Sequence, residues 1–207
     1  RPPACRQRLA AAALAQSLAP AGGLHDEPPP AWIVFKNFVT EPERRQLLVS
    51  ATQQRGNGLL QPNPAGPLRY FRRLDHTGGV DDFLRALTKR FEAAVADLSG
   101  QPQDAALGRV CSWIEPGGSV HEHDDEYAKD SRYAGFGHLR ANIVVQLEPS
   151  GMPIIEGLPV AVNERDAWVF MASHSRHATS PVKGPQPRIV FGFGWTVPPG
   201  FRLATAR

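Results

Sequence analysis

The chain has 207 residues, 42% hydrophobic and 21% charged, which excludes wholesale disorder and fits one domain or one domain with an appendage. No apolar run approaches the ~18 residues of a membrane span, and two cysteines, Cys5 and Cys111, provide neither a disulfide framework nor a cysteine-built zinc site. That cysteine usage suits a reducing cytoplasm. The net charge of +3, from 23 Lys and Arg less 20 Asp and Glu, permits nucleic acid as a partner without indicating it.

Residues 1–30 read as an N-terminal helical extension followed by a proline-rich spacer. An Ala-rich helix is expected from about Ala4 to Leu18, ended by Pro20, Gly22 and Gly23, with Pro28, Pro29 and Pro30 as a stiff spacer. Gln16 interrupts its apolar run, so a secretory signal is not expected. The remaining residues, 31–207, form the main domain. Trp32 to Phe35 is a short β-rich run. Thr40 and Glu43 have the spacing of a capping box for a helix reaching about Gln54. Residues 55–66 are rich in Gly and Pro and read as a loop. Arg69-Tyr-Phe-Arg-Arg73 is a basic patch with aromatic residues interleaved. A second helix is expected from about Asp81 to Leu98, with Phe83, Leu84, Leu87, Phe91, Ala94, Val95 and Leu98 at helical spacing.

After Gly100 the pattern changes to short β-rich runs between Gly/Pro turns: residues 108–114, 139–147, 159–162, 167–171 and 188–197. Helices to about residue 100 followed by many short strands over about 105–200 define an α+β protein, its helices packed on an antiparallel sandwich or barrel.

The chemistry-bearing residues lie in the strand-rich half. His123-x-Asp125 follows a Pro-Gly turn. Residues two apart in an extended chain point to one face, so an imidazole and a carboxylate can grip one ion. A second histidine from another strand would complete a two-His, one-carboxylate facial triad, a set that suits Fe(II). His177 stands 52 residues after Asp125 (177 minus 125) and eleven before Arg188 on the last strong strand. His174 is the alternative distal ligand, and His121-x-His123 the alternative proximal pair, as in cupin-type sites. His25, His76 and His138 read as surface or satisfied polar contacts.

With Ile114-Glu-Pro-Gly117 before His123, Asn163-Glu-Arg-Asp-Ala-Trp-Val-Phe170 before the distal histidine, and His177 with Pro181, Val182, Gly184 and Arg188, the chain resembles the 2-oxoglutarate- and Fe(II)-dependent oxygenase superfamily over about residues 108–196. The resemblance implies a double-stranded β-helix, a cupin-like jelly roll with supporting helices. It implies His123, Asp125 and His177 as iron ligands, and Arg188 as partner of the distal carboxylate of 2-oxoglutarate. It also implies O2 as the third reactant, with succinate and CO2 as products. Asp125 disfavours halogenation, because halogenating relatives carry a small residue there. Hydroxylation, desaturation and ring formation all use the same iron site.

Asn142 and Arg140 alternate on the strand after the acidic loop. If they face inward, Asn142 is a candidate for 2-oxoglutarate and Arg140 for substrate; otherwise they form a solvated strand face. Arg69 and Arg73 are further substrate candidates, as is Tyr127 in a possible lid at residues 126–137. The expected substrate is a small molecule such as an amino acid or natural-product intermediate. The small net charge and the acidic stretch Glu122 to Glu126 disfavour nucleic acid, and no membrane contact is expected. A nucleic-acid dealkylase is the nearest rival, but Ser112 and Ile114 stand where that branch has Asn and Tyr. A prolyl or other protein hydroxylase, and a non-catalytic ligand-binding jelly roll, are further rivals. Oligomeric state is left open.

Overall fold

A computed structural model describes residues 31–148 and 150–206. The expected helix at residues 4–18, the spacer at 28–30 and Cys5 lie outside the described residues. In chain order the elements are β1 (Trp32–Phe35), α1 (Glu41–Gly56), β2 (Gln61–Pro62), β3 (Arg69–Arg73), α2 (Asp82–Ala94), β4 (Val110–Ile114) and β5 (Val120–His123). There follow β6 (Gly137–Gln146), β7 (Pro153–Ile155), β8 (Leu158–Pro159), β9 (Ala167–Met171), β10 (His177–Thr179) and β11 (Arg188–Val197).

Both helices start where the sequence places them. At α1, Glu43 N donates to Thr40 Oγ1 while Thr40 N donates to Glu43 Oε2 at 2.8 Å, a complete capping box. Asp81 caps α2 by accepting from Leu84 N at 2.8 Å. The end of α2 departs from expectation. Val95 and Leu98 are buried as their spacing suggests, yet the helix stops at Ala94. The C-terminal segment captures the chain there: Val95 bridges to Thr205, and Ala96 N donates to Ala204 O. The burial at these two positions serves that docking and not a helical turn.

The strands form two antiparallel sheets, one of seven strands in the order β1-β9-β6-β11-β4-β3-β2 and one of four in the order β5-β10-β7-β8. This is the α+β jelly-roll arrangement expected. The outward face of the large sheet carries Leu139, Ile143, Phe191, Phe193 and Trp195, which pack with Leu47, Leu84, Leu87 and Phe91 of the helices. Phe91 stacks on Phe38 at 4.1 Å and tilts against Phe193 at 5.2 Å. Burying each such side chain contributes about 1.5–3 kcal/mol. A second cluster, including Val144, Ile155, Val162, Trp168 and Val190, lies between the sheets and joins them.

Five strands escaped the sequence reading: β2, β3, β5, β7 and β10. All are short, and β3 turns arginines to the inside, so its alternation resembles a surface pattern. The reverse error falls at residues 159–162. Only Pro159 belongs to a strand there; Val160 and Val162 are buried by packing in the inter-sheet cluster. The expected loop at 55–66 contains the last turn of α1 and the two-residue β2.

Register fixes what faces the inter-sheet space. Along β11, Arg188 opposes Ile114, Val190 opposes Ser112, and Gly192 opposes Val110 on β4. On β11's other side, Gly192 opposes Asn142 and Gly194 opposes Arg140 on β6. With a side-chain period of two, these residues share the inward face, whereas Ile189, Phe191 and Phe193 face the helices. The solvated-strand alternative for Arg140 and Asn142 is therefore excluded.

Candidate metal centre

His123 ends β5 and His177 opens β10, and the two are register partners across that pair. Their ring centroids lie 4.3 Å apart. Two residues after His123, the Asp125 backbone N–H donates to Ala172 O at 2.9 Å, which turns its carboxylate towards both rings. Asp125 Oδ1 lies 3.7 Å from His123 Nε2, and Oδ2 lies 3.8 Å from His177 Nε2.

The two imidazoles are oriented alike. His123 Nδ1 meets His121 O at 2.7 Å, and His177 Nδ1 meets Ser175 O at 3.0 Å. A carbonyl oxygen only accepts, so each Nδ1 carries the proton and each Nε2 presents a lone pair, the arrangement of a metal-binding histidine. Burial lowers the His177 pKa, which favours the neutral form that binds metal. Phe170 holds the His177 ring edge-on at 4.9 Å. Among the described residues this is the one group of three or more His, Cys, Asp or Glu side chains able to hold a metal ion, with donor atoms within 4.8 Å of one another. Two imidazoles and one carboxylate on one side of an open cavity fit a facial Fe(II) site. His174 is exposed in the turn before β10, and His121 is exposed on β5; neither joins the group. Glu122, within the acidic stretch, pairs outward with Arg176 at 2.8 Å.

The group opens into a cavity of about 230 Å³ between the sheets, which Asn142, Arg69, Arg73, Arg140 and Arg188 also line. Arg188 is 5% exposed; its Nε has no hydrogen-bond partner, and its guanidinium lies 5.7 Å from the Trp168 ring. Burial, with the charge of Arg69 adding to it, pulls its pKa down to about 9. Arg69 shares Arg188's row, opposite the same Ile114. Burial and then Arg140 lower the Arg69 pKa to about 10; its Nη1 donates to Asn63 Oδ1 at 3.1 Å, and its Nε is unpartnered. Arg73 is exposed at the cavity margin, while Arg72 turns outward and donates to Thr77.

Tyr127 does not line the cavity. Its hydroxyl donates to Asp104 Oδ1 at 2.7 Å and meets Thr196 Oγ1 at 2.7 Å, and burial raises its pKa. Its ring packs on Tyr133 at 5.4 Å, anchoring the segment that the sequence offers as a lid.

His138 corrects the sequence reading. It is 2% exposed, with Nδ1 3.6 Å from Asp125 Oδ2 and Nε2 3.8 Å from Asp104 Oδ2, so it is neither a surface residue nor a satisfied one. Burial pushes its pKa down to about 4, Arg140 acting in the same direction. The available signal was its two-residue spacing from Arg140 and Asn142, which places all three on one strand face.

No protein-family model and no curated protein matches the sequence. Among solved structures, the chain is similar to a prolyl-4-hydroxylase of Pseudomonas putida, with 16% identity over 82% of this chain and 94% of that one and a TM-score of 0.56. It is similar to the non-haem alpha-ketoglutarate-dependent epimerase SnoN of nogalamycin biosynthesis, at 14% identity, 83% and 80% coverage and a TM-score of 0.62. SnoN has also been solved in complex with Fe3+, alpha-ketoglutarate and nogalamycin RO. A third is the collagen prolyl hydroxylase vCPH of Paramecium Bursaria Chlorella virus-1, solved as a 2-oxoglutarate complex, at 13% identity, 82% and 97% coverage and a TM-score of 0.56. The chain thus has the double-stranded β-helix fold of the 2-oxoglutarate- and Fe(II)-dependent oxygenases. No helix among the described residues is long and apolar enough to cross a membrane.

Proposed function

We propose that the chain is a 2-oxoglutarate-dependent Fe(II) oxygenase that oxidises a C–H bond of a small molecule. The observation that carries this reading is the meeting, in one cavity, of a preoriented His123–Asp125–His177 donor set and a buried, unpaired Arg188. His123 and His177 would hold iron through Nε2 and Asp125 through its carboxylate. Arg188 takes the distal carboxylate of 2-oxoglutarate, with Arg69 beside it. A planar guanidinium offers the bidentate, charge-assisted contact that a carboxylate fits. Asn142, inward on the neighbouring strand, is placed to hydrogen-bond the cosubstrate. When bound, iron with 2-oxoglutarate and O2 supplies the oxidising chemistry, and succinate and CO2 are released. The protein's part is to position the reactants.

A cavity of about 230 Å³ falls below the ~300–1,000 Å³ of most ligand pockets. Shared with a cosubstrate, it admits a small molecule or the reacting end of a larger one. Three structural neighbours are prolyl hydroxylases, which makes prolyl peptides the second substrate class. The test is incubation with Fe(II), 2-oxoglutarate and O2 against free amino acids, prolyl peptides and methylated oligonucleotides, reading succinate and product mass. Substrate-stimulated succinate with a small molecule is the expected result. Stimulation by peptide or oligonucleotide alone would reassign the substrate, and no 2-oxoglutarate turnover under any condition would contradict the reading.

A further inference from the structure

Arg140 lies at the opposite end of the cavity from Arg188. It opposes Gly194, six residues along β11 from Arg188, roughly 20 Å at ~3.3 Å per residue. The two side chains thus enter the cavity from different rows of the sheet. Arg140 is 8% exposed, and burial lowers its pKa. Gly194 makes room for it: a Cβ there would sit 3.0 Å from its Nη1, while Arg140 Cζ lies at ordinary contact distance, 3.7 Å, from where a Gly192 Cβ would be. Its hydrogen bond within the protein is a long one, from Nη1 to Gly108 O at 3.3 Å. Among the described residues no carboxylate oxygen lies within 4.0 Å of Arg69, Arg140 or Arg188, although other arginines pair with acids throughout the molecule.

The charges do not balance without a ligand. Arg140 and Arg188 are buried and Arg69 is half-buried; Asp125 acts on Arg69 and Arg140, and Asp104 lies behind Arg140. Asp104 is already committed, accepting from Tyr127 Oη and from the backbone N–H groups of Leu107 and Gly108. Even when both acids are counted, one positive charge has no counterpart. A divalent metal and the 2-oxoglutarate dianion cancel each other and leave that charge in place. Burying an uncompensated charge is strongly unfavourable, so such a group marks where an anion binds.

We infer that Arg140, seated over Gly192 and Gly194, is the anchor for a carboxylate on the substrate, which makes the substrate a small carboxylic acid oxidised close to that group. This inference rests on the oxygenase reading above. It assigns Arg188 and Arg69 to the cosubstrate and Arg140 to the substrate, so that each anion has its own guanidinium.

The test is calorimetric titration of the anaerobic protein, loaded with Fe(II) and 2-oxoglutarate, with free amino acids and small aliphatic acids, each paired with its primary amide. The parent should bind at least one acid about tenfold or more tightly than its amide, the scale of a hydrogen bond to a charged group. Arg140→Gln should bring that ratio close to one while 2-oxoglutarate affinity stays within about threefold. Arg140→Lys, which keeps the charge without the planar fork, should retain part of the preference. Gly194→Ala, whose Cβ crowds Nη1, should reduce it with the charge in place. No acid binding more tightly than its amide, or a preference that survives Arg140→Gln, would overturn the inference while leaving the oxygenase reading standing. Loss of 2-oxoglutarate binding by Arg140→Gln would also overturn it, by returning Arg140 to the cosubstrate. A parent that binds no 2-oxoglutarate would instead sink the oxygenase reading, and this inference with it.

Discussion

Arg69 and Arg188 stand on strands separated by β4, yet both oppose Ile114, one from each side. A buried and a half-buried guanidinium group thus flank one apolar residue and repel each other, which adds to burial in holding Arg188 well below the ordinary arginine range. Among the described residues no carboxylate oxygen lies within 4.0 Å of either group, so the arrangement is a cost to the ligand-free protein. It becomes favourable when a carboxylate lies between the two.

Opposite effects on stability and binding follow from that relationship. Arg188→Met should raise the stability of the ligand-free protein, by about 1–3 kcal/mol, because it replaces an unpaired buried charge with a well-matched apolar chain. The same change should weaken 2-oxoglutarate binding by about 2–5 kcal/mol. Arg188→Lys should recover part of that affinity. Chemical denaturation and anaerobic calorimetry measure the two quantities separately.

The cap of α1 predicts a pH signature. Arg90 donates to Glu43 at 2.6 Å, and together with the capping-box contact from Thr40 it holds the carboxyl at a pKa of about 2. A depressed folded pKa contributes stability that is complete above the ordinary value of 4.5 and is lost as pH falls through that value towards 2. Glu43→Gln keeps a side chain able to accept in the capping box but removes the charge. With the pair partly exposed, it should cost about 1 kcal/mol at pH 7. The difference from the parent should persist to about pH 4.5 and fade near pH 2. Denaturant titrations across that range would check it.

Docking of the C-terminal segment predicts a stability effect far from the site. Leu203 is buried beside the segment that pairs with the chain after α2. Leu203→Ala should destabilise the protein by about 2–4 kcal/mol through lost burial and the cavity left behind. It should leave metal binding unchanged, which denaturation followed by metal titration would establish.

How much of this was legible in the sequence follows from what each residue faces. Strands β1, β9 and β11 stand at the expected residues because their outward faces pack on helices, and that produces hydrophobic runs. The capping box of α1 was legible because Thr40 and Glu43 act locally. The short strands of the cavity wall, β3, β5, β7 and β10, were not legible as strands: β3, for one, turns Arg69, Phe71 and Arg73 inward, the reverse of a core pattern. Three of the residues that converge, His123, Asp125 and His177, were singled out by the His-x-Asp spacing and the family resemblance, although β5 ends at His123 and Asp125 lies just beyond it. His138 was missed because its partners, Asp125 and Asp104, are brought to it only by the tertiary fold. Arg69 was found as a basic residue, but its place beside Arg188 depends on pairing across β4, which local sequence does not encode.

The most direct test of the account is Fe(II) stoichiometry under anaerobic conditions in the parent and in His123→Ala, Asp125→Ala, His177→Ala and His174→Ala. Each of the first three removes one donor from the group that converges within 4.8 Å, whereas His174 lies outside it. One Fe(II) per chain in the parent and in His174→Ala, with strongly weakened binding in the other three, is the predicted result. Equal Fe(II) binding by all five proteins, or loss in His174→Ala alone, would contradict the assignment.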